Sequence, residues 1–328
     1  MFHGPLHPDP AALLAAAKHL WAGLEGATAT LVNHSENHTF RMDCPSGQRF
    51  ALRVHRPGHL DERAIRAELG WLAAIARDTP VPVVPPVPGR DGEALQRLPD
   101  GRLAVLFEWI GGREPSPEDD LAGLFVTLGR HAAHLHAHAR ATRPDPARAR
   151  PRWDAEAVLG TGGAFGDWRK APNLTPGDRS VIEAAAEKLW AELAAFGSDA
   201  HRFGLVHADM RLANLLVKGE QVTVLDFDDC GHGWFLYDFG ASVSFFETDP
   251  RVPLWARSWA EGYEKVAPLA AEDRAMLFPM VLFRRIALLA WIGSHGETAL
   301  AGAQAPHFAR GTAVLAQLYL EGRGDYFA

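Results

Sequence analysis

His207-Ala208-Asp209-Met210-Arg211-Leu212-Ala213-Asn214 decides the reading of this chain, together with Asp226-Phe227-Asp228, which begins twelve residues after Asn214. Between them lie two short apolar runs, Leu215-Leu216-Val217 and Gln221-Val222-Thr223-Val224-Leu225, split by Lys218-Gly219-Glu220. Apolar and β-branched residues on both sides of a Gly-containing turn predict a hairpin. Asn214 then stands just before the first strand and Asp226 at the end of the second, so the hairpin carries both to one place. The Asp209 carboxylate suits acceptance of a hydroxyl proton. The oxygens of Asn214 and Asp226 suit magnesium, a hard cation. A turn capped by Asp209 and Asn214 explains those two residues, but it does not explain the ordered set.

Working outward, 328 residues are enough for two lobes, each with its own core. An apolar share of 47% is that of a globular protein. A net charge of −7 with no basic tail excludes a nucleic-acid scaffold, and no nucleic-acid partner is expected. The two cysteines, Cys44 and Cys230, have no metal-type spacing and fit a reducing compartment. The N-terminus lacks the basic region of a signal peptide. The apolar run Ala275–Phe283 is too short to cross a bilayer and ends in Arg284-Arg285. The expectation is a cytoplasmic protein with no membrane partner.

A helix is expected over Ala11–Leu24, then strands over Ala29–Asn33, Thr39–Met42 and Arg49–Val54. Asp61 caps an amphipathic helix to Ala76. Proline keeps Pro80–Pro88 from being helical. Leu95–Leu98 and Leu103–Trp109 read as a further strand pair, and Ile110-Gly111-Gly112 as the crossing into an alanine-rich region. Helices are expected there over Glu118–Arg140, Asp178–Phe196, Val252–Val266, Glu272–Ile292 and Leu300–Leu320, with Arg140–Arg152 a solvated connector.

A His-x-Asp-x-x-x-x-Asn run followed by a short strand and an Asp is the arrangement kinases use for phosphoryl transfer. With the strand and helix order above, the chain resembles the aminoglycoside phosphotransferase family, which also includes choline kinases, second-type homoserine kinases and bacterial stress-response kinases. The resemblance runs from about Leu31 to the C-terminal helices and is most specific over Leu205–Asp238. It implies an α+β, bilobal, protein-kinase-like fold, with residues 1–110 a β-rich N-lobe, residues 111–328 a helical C-lobe, and Mg-ATP in the cleft.

By that resemblance Asp209 is the catalytic aspartate, and Asn214 and Asp226 are magnesium ligands. Asp228 or Asp229 is expected to reach a second magnesium, the other acting as a cap. Arg211 suits either the transferred phosphoryl group or a salt bridge. Asp238 is expected to brace the catalytic loop, and His207 to help. Phe50-Ala51-Leu52-Arg53 stands where protein kinases carry Val-Ala-Ile-Lys, so Arg53 replaces the usual lysine at the phosphates. Glu68 is its expected partner and Glu62 the alternative. No glycine-rich loop occurs; Asn33–Thr39 takes its place, with Ser35 offered to the phosphates or only to a β-turn. The hinge to adenine is expected at Glu108-Trp109-Ile110, through the backbone of Glu108 and Ile110.

Two further groups invite a role. His131, His134, His136 and His138 cluster in one helix; positions 131, 134 and 138 share a face, with no acidic or thiol partner beside them, which favours packing over a metal site. Arg284-Arg285 with Trp291 suits either acceptor contacts or salt bridges to nearby acids. The expected activity is transfer of the ATP γ-phosphoryl group to the hydroxyl of a small molecule: an amino alcohol, a homoserine-like or an aminoglycoside-like acceptor. The chain is expected to be a monomer or homodimer. Asp226–Asp238 is short and holds no Ser or Thr, unlike an activation segment. The alternatives are a protein Ser/Thr kinase of the stress-response type and a non-catalytic nucleotide-binding module.

Overall fold

The structure, a computed structural model, describes residues 10–34, 37–142, 149–163 and 165–323. The chain divides into two compact units, Met1–Asp78 with Pro82–Gly112, and Arg113–Ala328 with Thr79–Val81.

The first unit begins with α1 (Pro10–Leu20), followed by β1 (Thr28–His34), β2 (Asn37–Asp43), β3 (Arg49–His55), α2 (Glu62–Asp78), β4 (Pro86–Val87), β5 (Leu95–Arg97) and β6 (Leu103–Glu108). The strands form one antiparallel sheet in the order β1-β2-β3-β6-β4, with β5 also on β6. Side chains alternate across a strand. Phe50, Leu52 and Val54 of β3 therefore join Ala104 and Leu106 of β6 in a core with Trp21, Leu24 and Phe40. Val105, on the other face, packs with Ile65 and Leu69 of α2. Arg53 is paired with Val105 across the sheet and so faces α2. The Asp61 carboxylate accepts the Ala64 N–H at 2.7 Å, capping α2 as its sequence predicts. Helix α1 stops at Leu20 rather than Leu24, because the chain turns at Gly23 with φ +83° and folds Trp21 and Leu24 under the sheet.

The second unit runs through α3 (Ala122–Thr142), β7 (Arg152–Trp153), α4 (Ala155–Leu159), α5 (Pro176–Phe196), β8 (Phe203–Val206), β9 (Leu215–Lys218), β10 (Gln221–Val224), β11 (Gly231–Trp234), α6 (Tyr237–Ser242), α7 (Val252–Glu264), α8 (Ala271–Ala275), α9 (Leu277–Ser294) and α10 (Ala299–Leu320). β9 and β10 form the expected hairpin, turning at Gly219 with φ +61°. β11 lies between β7 and β8, so the short stretch after Asp226 is a strand of a three-stranded sheet.

Two further helix expectations need correction. α3 starts at Ala122, not Glu118, because Asp119 closes a turn: its carboxylate accepts from the Ser116 N–H at 2.8 Å and from Arg113 at 2.6 Å. The helix expected over Glu272–Ile292 is broken at Met276 into α8 and α9. Pro279 supplies the reason: it has no N–H to donate and fits only the first turn of a new helix. Every residue of α9 from Leu277 to Ile292 is buried. The stretch Ala271–Ser294 has the length and apolarity of a membrane span, yet 94% of its most apolar 18-residue window is buried inside the protein, where α9 packs on α6 and α10.

Candidate active site

The loop after β8 carries His207, Ala208 and Asp209. Ala208 has φ +66°, a left-handed conformation costly for a residue with a Cβ. Asp238, in the first turn of α6, holds it there: Oδ1 accepts the Ala208 N–H at 2.8 Å and Oδ2 the His207 N–H at 3.1 Å. Asp238 is fully buried and takes a third bond at 3.0 Å from His136 Nε2 of α3. The other nitrogen, Nδ1, lies 3.2 Å from the Tyr263 hydroxyl, so the network is satisfied with the His136 proton on Nε2. Burial drives His136 below the ordinary histidine range, which makes it a neutral donor. Burial alone would raise the Asp238 carboxyl, but hydrogen bonds from His136 and the loop N–H groups hold it below its usual value.

His207 ties the loop to the end of the hairpin. Its Nε2 donates to the Leu225 carbonyl at 2.9 Å, and its Nδ1 accepts the Asp209 N–H at 3.2 Å. The Leu225 N–H in turn donates to the Asn214 carbonyl at 2.8 Å. Asp209 and Asn214 meet directly: Asn214 Nδ2 donates to Asp209 Oδ2 at 2.7 Å and to the Asp209 carbonyl at 2.9 Å. With both amide hydrogens engaged, Asn214 Oδ1 receives no donor among the described residues and is available as a hard oxygen ligand. Asp226 follows β10 with φ +56° and an exposed side chain, and its Oδ1 lies 3.4 Å from the Asp228 N–H. Asp228 is buried. Among the described residues no group of three His, Cys, Asp or Glu side chains could hold a metal by itself. Magnesium seldom needs one, since phosphate and water oxygens supply most of its ligands.

The run Asp226–Cys230 is pinned from the segment expected to be a solvated connector. Arg150 is buried there; its guanidinium donates to the Asp228 carbonyl and, at 2.7 Å, to the Cys230 carbonyl. Trp153 Nε1 donates to the Asp229 carbonyl at 2.9 Å. Residues 143–148 of that segment lie outside the described residues.

Arg211 forms its ion pair with Asp209 itself, Nε to Oδ2 at 3.1 Å. The late-helix arginines divide. Arg285 is buried against Glu247 and Thr312, which is the salt-bridge reading. Arg284 reaches back to Asp209, Nη2 to Oδ1 at 2.5 Å, which no reading of local sequence foresaw. Its signal in the sequence was its setting, one of two adjacent arginines inside an otherwise apolar run. In the histidine group, His131 packs on the hairpin, Nε2 to the Val222 carbonyl at 3.1 Å, and burial pushes it down to about 4. The histidine that serves the loop is His136, which is off the face the others share.

In the first unit Arg53 pairs with Glu68 at 2.6 Å, both side chains buried, and its guanidinium lies 5.3 Å from the Phe107 ring centroid. Glu62 instead bonds Arg66 and Arg97 at the surface. Glu108 ends β6 with an exposed side chain, the Trp109 N–H donates to the Arg49 carbonyl at 3.0 Å, and the Ile110 N–H finds no acceptor among the described residues. Ser35 lies outside the described residues.

Residues 28–278 match a family profile described as a phosphotransferase enzyme family, APH. The amicoumacin kinase of Bacillus subtilis (strain 168) is 26% identical over 238 residues, 71% of this chain and 66% of that protein. The chain thus spans about two thirds of that curated relative's length. Among solved structures, the microcompartment-associated aminopropanol kinase superposes with a TM-score of 0.86 at 38% identity, covering 96% of this chain and 99% of that one. An amicoumacin kinase in complex with AMP-PNP, Ca2+ and Ami follows at 0.75 and 19% identity over 93% of each chain, a likeness of fold alone.

Proposed function

This chain is an enzyme of the phosphotransferase family with the protein-kinase-like fold, and from that membership we propose that it is a kinase moving the γ-phosphoryl group of Mg-ATP to the hydroxyl of a small amino alcohol. The observation that carries the chemistry is the Asp209 carboxylate, part-exposed and tied to Asn214, whose Oδ1 is left for a cation. The acceptor class rests on the 38% identity to an aminopropanol kinase along 96% of the chain.

Asp209 takes the hydroxyl proton late, as the bond from the acceptor oxygen to phosphorus forms and the bond from phosphorus to the bridging oxygen breaks, with ADP leaving on that electron pair. A magnesium ion, when bound by Asn214 Oδ1 and Asp226, supplies positive charge at the phosphate oxygens; Asp228 lies beside that pair as a further carboxylate. Arg53, paired with Glu68, is our candidate for the phosphates, and the backbone of Glu108 and Ile110 for the adenine. Positioning and charge supply most of the rate in such transfers. The segment after Asp226 is occupied by β11, which leaves no long platform for a peptide and favours a small acceptor over a protein one.

The test is ADP release from Mg-ATP with 1-amino-2-propanol, ethanolamine, choline, homoserine and an aminoglycoside, each as sole acceptor. Selective release with an amino alcohol, with phosphate found on its oxygen, is the expected result. Release with homoserine or the aminoglycoside instead would move the acceptor class, and release with a protein substrate only would reject the proposal.

A further inference from the structure

The geometry points to Arg284 as the positioning residue of Asp209: it holds Oδ1 from α9 while Asn214 and Arg211 hold Oδ2, leaving one lone-pair site on Oδ1 for the acceptor's hydroxyl. This deepens the kinase reading and rests on it.

A carboxylate offers about four acceptor sites. Asn214 Nδ2 at 2.7 Å and Arg211 Nε at 3.1 Å engage Oδ2, and Arg284 Nη2 at 2.5 Å engages Oδ1. The donors come from opposite ends of the carboxylate, so rotation of its plane is blocked. With Oδ2 alone held, the group would pivot and Oδ1 would sweep away from an incoming hydroxyl. A displacement of about 1 Å at such an atom costs on the order of a hundredfold in rate.

Arg284 is itself fixed. Nε donates to Ser244 Oγ at 3.1 Å and Nη1 to the Tyr237 hydroxyl at 3.3 Å, with the guanidinium carbon 5.8 Å from the Tyr237 ring centroid. Its side chain is 2% exposed, so it is closed to a bulky acceptor and acts through Asp209. Its reach depends on α6 lying tightly against α9. A Cβ built on Gly240 would sit 2.4 Å from the Met280 carbonyl oxygen and 3.3 Å from Arg284 Cβ, so glycine is what permits the approach. A buried guanidinium needs a partner in any case. A merely structural charge pair would satisfy burial without requiring that one carboxylate be both its partner and the base.

The decisive experiment joins a crystal structure of Arg284→Gln to its kinetics with whichever acceptor the wild type uses. The expected structure has the Asp209 carboxylate rotated from its wild-type orientation. The expected kinetics are a kcat lower by about ten- to a hundredfold, KM for ATP within about twofold and partial recovery in Arg284→Lys, which restores charge with fewer donors. In an Asp209→Asn background Arg284→Gln should add no further loss, since residues acting as a unit are not additive. An unmoved Asp209 with kcat within about twofold of wild type, or fully additive losses, overturns the proposal. If Arg284→Gln does not fold, Tyr237→Phe and Ser244→Ala loosen the guanidinium without removing it; unchanged kcat in both also overturns it. A wild type inactive with every acceptor sinks the kinase reading instead, and the position of Asp209 in the variant crystal still decides the role of Arg284.

Discussion

At the scale of single residues, the site depends on groups held in unfavourable states by their neighbours. Ala208 and Asp226 both have positive φ, +66° and +56°, and flank the hairpin that carries Asn214. Each such residue costs on the order of 1–3 kcal/mol and persists because its surroundings determine it. For Ala208 the surroundings are the Asp238 carboxylate and, behind it, His136. The sequence already singled out Asp209, Asn214 and Asp226 by their spacing along one loop and one hairpin, and His207 and Asp238 by the family resemblance. Asp209→Asn preserves the shape of the side chain and an oxygen for Asn214 and Arg211, but removes the base and the acceptor of Arg284. Turnover should fall by about 10²–10⁴-fold, with nucleotide-analogue affinity within about twofold of wild type by calorimetry; substantial retained turnover would falsify the assignment.

At the scale of elements, glycines set how closely helices approach. α3 and α7 cross where Gly129 meets the Trp259 carbonyl and Gly262 meets the Val126 carbonyl, so close that a Cβ at either position would come within 1.9 Å of the oxygen. This reciprocal contact holds α3 in place, and α3 carries both His131 to the hairpin and His136 to Asp238. Gly262→Ala should therefore lower stability by about 1–3 kcal/mol or more, as overpacking does. Gly70 gives the contrasting case: it lies exposed inside α2 with open space around its Cβ position. Gly70→Ala should stabilise by about 0.5–1 kcal/mol through helix propensity alone. Urea denaturation of the two variants checks both signs; equal effects would mean that the crossing at Gly262 is not close. From sequence alone these glycines look alike, since only the neighbouring helix distinguishes them.

At the scale of the whole molecule, buried histidines make stability depend on pH. His131 is pushed down to about 4 by burial, against an ordinary value of about 6.5 in the unfolded chain. Between those values the unfolded chain binds the proton and the folded one does not, so stability falls as pH drops from 6.5 towards 4. The His131 contribution to that fall is about 2 kcal/mol by pH 5. His136, depressed in the same direction by complete burial, adds to it. Denaturation midpoints at pH 7 and pH 5 should show the decline, and His131→Gln should flatten it; an unchanged slope in that variant would place the sensitivity elsewhere.

The sequence by itself determined what lies close along the chain: the sheet strands, the Asp61 cap, the hairpin turning at Gly219, and, spaced around it, the Asp209, Asn214 and Asp226 side chains proposed for catalysis and cation binding. Alternation along β3 even put Arg53 on the face opposite Leu52 and Val54, towards Glu68. Only the tertiary structure decided which distant groups serve that site. Arg284 lies 75 residues from Asp209, His136 lies 102 from Asp238, and Arg150 lies 78 from Asp228. Local periodicity assigns a residue to a face of its own element, whereas these pairings depend on how closely α6 approaches α9 and α3 approaches α7. Backbone-to-backbone contact at a few glycines sets those distances, and no spacing within either partner encodes it.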